Sequence, residues 1–229
     1  LLSQAESALS DRPSPILRLR WLRLRLALAT TRGDTDAARS VLARAEELDT
    51  QNPWWQLAEA RWWIDQGRHD RARERIRAVV SEPRSPSVLQ VDAEILLARL
   101  HLQSQRIEAA LEVAKRVLER ARSERLEQHA LAMELLVLAL EGDSERAWTM
   151  RIQRAMQSRW SDLQLWAVEL SARRAERLDD IELARSCWER LIQQAQLLGH
   201  QSVRRRAMSH IRSLSIQAIE GGPEAPTLS

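Results

Sequence analysis

Five histidines, one cysteine and 32 carboxylates are the side chains of this 229-residue chain that could hold a metal, attack a carbonyl or relay a proton. Their spacing serves none of these ends. His69, His101, His129, His200 and His210 never stand four apart, so no helix turn offers two imidazoles to one ion, and no His-Glu-x-x-His occurs. Cys187, between Ser186 and Trp188, reads as a structural thiol, since nothing evident around it lowers its pKa. With no second cysteine there is no disulfide framework, and a reducing cytoplasm is the simplest setting. The chain has no Gly-rich phosphate loop, no Gly-Lys-Ser/Thr and no Gly-x-Ser-x-Gly elbow. Acidic pairs such as Glu46–Glu47 and Asp179–Asp180 suit solvated helices or helix starts. The expectation is a protein without catalysis, metal or cofactor.

The chemistry that remains is recognition by arginine and tryptophan. The segment PWWQLAEARWWIDQG (53–67) holds four of nine tryptophans, in a chain with no Phe and no Tyr. Lys115 is the only lysine among 35 basic residues, an arginine bias typical of a GC-rich bacterial genome. Arginine forks match carboxylates in a bidentate way. The net charge of +3 is spread through a mixed surface, unlike the concentrated basic footprint of a nucleic-acid binder. The basic run VRRRAMSHIR (203–212) reads as the solvated face of a last helix that buries Val203, Ala207 and Ile211. The longest apolar run, ALAMELLVLAL (130–140), is too short for a membrane span and carries Glu134.

A repeat positions these residues. Five motifs join a turn residue to an alanine five positions later: GDTDAA (33–38), GRHDRA (67–72), QRIEAA (105–110), GDSERA (142–147) and DDIELA (179–184). The alanines Ala38, Ala72, Ala110, Ala147 and Ala184 recur 34, 38, 37 and 37 residues apart. That period in a helix-forming composition predicts stacked helical hairpins. The turn residue closes the first helix in a left-handed conformation, the acidic residue suits the positive end of the second, and the alanine allows close approach. First helices are predicted near 15–32, 53–66, 87–104, 124–141 and 162–178, and second helices near 34–49, 68–81, 106–122, 143–158 and 180–198. A helix remnant at 1–10, a final capping helix at 201–219 and a flexible tail or linker at 220–229 complete the prediction. The opening LLSQAESALS, already helical in period, reads as part of a longer protein.

LRLRWLRLRL (17–26) alternates like a strand, but its residues favour helix. At about 100° per residue, Leu17, Trp21, Leu24 and Leu28 form one apolar stripe and Leu19, Leu22 and Leu26 another. Such a helix is predicted to be sandwiched between neighbours. Trp55 and Trp62 stand 12 and 5 residues before Gly67, as Trp21 and Leu28 do before Gly33, and are predicted to be core. Trp63 is predicted to lie between hairpins.

WLRLRLALATTRGDTDAARSVLARAEELDTQNP resembles a tetratricopeptide repeat through its early aromatic, Gly33-Asp34, Ala38, Ala45 and closing Pro53. The next repeat is similar through Ala60, Gly67, Ala72 and Pro83. The resemblance covers 15–198 and weakens where Gln105 and Asp179 replace the turn glycine. It implies an all-α, right-handed α-solenoid of about five repeats plus a capping helix over 15–219, binding a protein or peptide in a concave groove. The implied lining lies 13, 10, 6 and 3 residues before each turn. It includes Arg20, Arg23, Trp54, Arg61, Asp92, Arg99, His129, Trp166 and Arg173, a surface suited to an acidic peptide. Residues 93–156 also resemble the sensor domain of MalT-like, LuxR-type bacterial transcriptional regulators. That resemblance implies a small-molecule effector or inhibitory protein, with PEAPTLS as a linker to a DNA-binding domain, although 160–219 departs from that family's ending.

Overall fold

A computed structural model describes residues 14–45, 48, 51–142 and 144–220. The remnant at 1–10, the pair Glu46–Glu47 and the tail beyond 220 lie outside the described residues. Among the described residues the chain is all-α, a helical-repeat fold of the solenoid class with no strand. The helices are α1 (Pro15–Arg32), α2 (Thr35–Ala45), α3 (Pro53–Asp65), α4 (His69–Ser81), α5 (Ser87–Gln103), α6 (Ile107–Ser123), α7 (Glu127–Glu141), α8 (Glu145–Met156), α9 (Ser161–Arg177), α10 (Ile181–Leu197) and α11 (Gln201–Glu220). Two compact units divide within α7, one up to Met133 and one from Glu134.

The hairpin turns follow from one device. Gly33, Gly67, Gln105 and Asp179 all take positive φ, and the residue after each donates its N–H to the carbonyl five positions back: Asp34 to Ala29, Arg68 to Trp63, Arg106 to His101 and Asp180 to Ala175. This bond satisfies a carbonyl that the ending helix leaves over. Arg125 closes α6 in the same way, with Leu126 bonding to Ala121, so α7 starts at Glu127 and not at 124. Gly142 departs from the pattern: its φ is not positive and its N–H bonds to Leu138. A Cβ there would sit 2.8 Å from the Leu138 carbonyl, so close approach, not left-handedness, calls for glycine at this turn. Side-chain caps on Asp34, Ser144 and Asp180 accept the N–H three residues on and start α2, α8 and α10.

In the first unit α1 pairs with α2, α3 with α4 and α5 with α6, while α1 lies against α3 and α3 against α5. One cluster joins Leu19, Leu22, Leu26, Ala38, Val41 and Ala45 to Trp55 and Trp62. A second joins Leu57, Ala60, Ala72, Ile76 and Val79 to Leu89, Ala93, Leu96 and Leu100. Trp55 and Trp62 are core, as predicted. The sandwiching of α1 is not observed. Leu17 and Leu24 are exposed and Trp21 and Leu28 half-buried, because α2 and α3 both pack on the stripe of Leu19, Leu22 and Leu26. Ala38, Ala72 and Ala110 are fully buried where their helices meet the preceding ones.

In the second unit α9 packs on α8 and α10, and α10 on α11. The core gathers Leu165, Val168, Ala172, Ala184, Trp188, Leu191, Ala207 and Leu214. Ala207 is fully buried and Val203 and Ile211 half-buried, so the basic run of α11 turns its apolar side to this core. Ala147 is only half-buried: Trp148 beside it fills the contact on α8.

Candidate binding face

Pro53 stands in the first turn of α3 and Asn52 caps it, accepting the N–H of Trp54 at 3.0 Å. The indole of Trp54 therefore stands beside the positive end of a helix whose first turn holds no acidic residue. Arg23 of α1 places its guanidinium 4.8 Å from the centre of that ring, and Trp54 remains 44% exposed. Partial burial lowers the pKa of Arg23, and the charges of Arg20 and then Arg61 lower it further. Arg20 and Arg61 are themselves exposed. The structure thus brings Arg20, Arg23, Trp54 and Arg61 together on the face made by α1 and α3. One cation, Arg23, lies over the accessible indole, and Arg20 and Arg61 are near enough to act on Arg23, an arrangement able to take an anionic group with an apolar neighbour.

The remaining lining positions are placed differently. Arg99 is half-buried on α5. Asp92 is tied to His129, Oδ1 to Nε2 at 3.1 Å, and His129 is buried. In the second unit Trp166 and Arg173 are buried, at 3% and 9% exposure, instead of lining a surface. The middle of α9 is the reason, because Leu165 through Leu170 are all buried and the helix has no open side there. Arg173 is satisfied internally by Glu169 at 3.1 Å, which Arg206 of α11 approaches at 4.0 Å.

The sequence reading missed a set of ties inside the hairpins. Glu59 of α3 pairs with Arg75 of α4 at 3.0 Å, Glu94 of α5 with Arg116 of α6 at 3.2 Å, and Glu134 of α7 with Arg151 of α8. The signal available was a glutamate in the middle of each of these first helices, with an apolar residue on either side. Trp63 donates to Glu59 at 3.1 Å and packs against both cores of the first unit, so it lies between hairpins as predicted. Burial raises the pKa of the Cys187 thiol, which disfavours the nucleophilic thiolate. Among the described residues no group of three or more His, Cys, Asp or Glu is arranged to hold a metal ion, and no helix is long and apolar enough to cross a membrane.

Paired helices closed by similar turns define a helical-repeat fold of the kind that serves in protein–protein interaction. Residues 29–91, from the end of α1 into α5, match the family model described as tetratricopeptide repeat, and that stretch is tetratricopeptide-repeat-like. No curated protein and no solved structure matches the chain.

Proposed function

We propose that this is a protein–protein interaction module that holds an acidic peptide segment of its partner against the face of α1 and α3. The observation that carries the reading is Arg23 over the exposed ring of Trp54, with the charges of Arg20 and Arg61 acting on Arg23. Carboxylates of the ligand pair with the guanidinium groups, and an apolar side chain covers the indole. The module serves as a non-catalytic scaffold in bacterial signalling or regulation in the cytoplasm.

Calorimetric titration with a glutamate-rich peptide containing one leucine tests the reading. Binding weakens as salt rises, because exposed charges are screened, and disappears in the double variant Arg20→Glu, Arg61→Glu while the helical melt is unchanged. Equal affinity for wild type and the charge-reversed variant would sink the proposal.

A further inference from the structure

A cavity of about 730 Å³ opens on the other side of α3, walled by α2, α3 and the start of α4. At about 100° per residue Glu59 and Trp63 lie on the side of α3 away from Trp54 and Arg61, with Trp55 and Trp62 at about a right angle to them. It is therefore separate from the face described above. Cavities of a few hundred to a thousand cubic ångströms with an apolar floor and a few polar groups are the usual form of small-molecule sites.

The floor is aromatic. The Trp62 and Trp63 rings meet at 4.2 Å and 60°; Trp62 is buried, and the half-buried Trp63 offers the accessible apolar surface. The rim is cationic, with Arg39 from α2 and Arg68, Arg71 and Arg75 from the far side, against one carboxylate, Glu59. Glu59 is largely buried, and its two oxygens accept from Trp63 and pair with Arg75. That leaves the wall with an excess of positive charge. The guanidinium of Arg71 lies 4.6 Å from the centre of the Trp63 ring. A guanidinium stacked in this way keeps its in-plane N–H donors for a carboxylate or phosphate. Arg39 is held by Asp36 at 3.2 Å, an exposed pair that an incoming anion can replace with little loss.

We propose that this cavity binds a small organic anion bearing a flat ring, with the ring against the accessible part of Trp63 and the anionic group between Arg39, Arg68 and Arg71. An inorganic anion lacks the ring contact and a neutral ring lacks the charge, so neither alone satisfies the site.

The test titrates the whole chain with adenosine monophosphate and indole-3-acetate as ring-bearing anions, inorganic phosphate as an anion without a ring, and adenosine as a ring without charge. The readout is the indole N–H resonance of Trp63. The ring-bearing anions are expected to shift it and to bind at least about tenfold more tightly than phosphate or adenosine. The triple change Arg39→Ala, Arg68→Ala, Arg71→Ala removes exposed rim charges and is expected to weaken their binding by about tenfold or more. Ala43→Trp fills the cavity from α2 without altering charge and is expected to block it, whereas the Arg20→Glu, Arg61→Glu variant binds normally. The proposal is overturned if neither ring-bearing anion shifts Trp63, if phosphate binds as tightly as they do, or if both cavity variants bind like the wild type.

Discussion

Arg61 and Arg173 stand at the same point of their repeats, six residues before the turn, and Trp54 and Trp166 both stand thirteen before it. In the first unit the pair faces solvent, and in the second it is buried. The residue ten before the turn explains part of the difference. It is Leu57 beside Arg61, and Glu169 beside Arg173. Leu57 joins the core and leaves Arg61 outside, whereas Glu169 draws Arg173 into an internal ion pair. The final helix supplies the rest, because Arg206 and His210 of α11 approach Glu169 and Glu176 at 4.0 and 3.9 Å. One register therefore produces an exposed surface or a structural core, according to which neighbour completes each charge.

The largest test of that contrast is removal of each arginine. Arg173→Ala removes the closest cation from the buried Glu169, and is expected to destabilise by about 3 kcal/mol in urea unfolding. Arg61→Ala, at an exposed position, is expected to change stability by less than about 0.5 kcal/mol. Replacing both members of the buried pair, Arg173→Met with Glu169→Leu, is expected to recover most of the loss, since well-packed apolar residues can substitute for a buried ion pair. Equal costs for Arg61→Ala and Arg173→Ala would mean that burial does not separate the two regions.

A second test concerns the shared alanines. Ala72 is fully buried against α3, and Ala72→Leu is expected to cost about 2 kcal/mol by overpacking. Ala147 is half-buried beside Trp148, and Ala147→Leu is expected to cost under about 1 kcal/mol. Melts that rank the two the other way would show that the hairpin of α7 and α8 closes as tightly as that of α3 and α4.

These positions also mark how far the sequence could be read. The hairpins were legible because turn chemistry and helical period are local: Gly33 and Gly67 announce a left-handed closure, and Ala38, Ala72 and Ala110 a close contact. Gln105 and Asp179 take the same conformation without glycine, and the period alone revealed them. Arg125 carried no such signal, and α7 starts later than the pattern suggests. Exposure was less legible because it depends on what packs against a helix from elsewhere in the chain. Trp21 and Trp55 share a register position, yet Trp55 is buried and Trp21 half-buried, since Trp55 has the hairpin of α1 and α2 to pack against. The Trp54 face was legible as a list of residues. The cavity beneath Trp63 was not, because it is the space that α2, α3 and α4 leave between them.

A third test uses pH, and it acts on the second unit. His210 stacks on Trp188, with ring centres 4.2 Å apart and planes 7° from parallel. Burial first, then the charge of Arg173, holds its pKa below the ordinary 6.5, against the opposing pull of Glu176 and Glu169. The unfolded chain therefore takes up the proton more readily than the folded one. The contribution of His210 is intact above about pH 6.5 and is lost as pH falls from there towards the lower folded value. Unfolding midpoints of the wild type should decline over this window more steeply than those of His210→Gln. Parallel curves would place the acid sensitivity elsewhere.

The smallest expected effect lies at the Trp54 face and is measured by a double-mutant cycle. Arg23 sits over the Trp54 ring, and a half-exposed contact of this kind is worth about 0.5 kcal/mol. Burial first, then the like charges of Arg20 and Arg61, lower the pKa of Arg23, and that crowding of like charge opposes the contact. Removing Arg20 should therefore stabilise the chain slightly at low salt and have no effect at high salt, where the repulsion is screened. The coupling between Arg23 and Trp54 should persist at high salt, because the contact is short and partly desolvated. In the second unit the corresponding charge is already neutralised by Glu169, so the stability lost in Arg173→Ala should depend little on salt. A salt dependence at Arg173 as strong as that at Arg20 would show that the two regions handle charge alike. The reverse pattern of salt at one site and none at the other is what a surface held ready for an anionic partner requires.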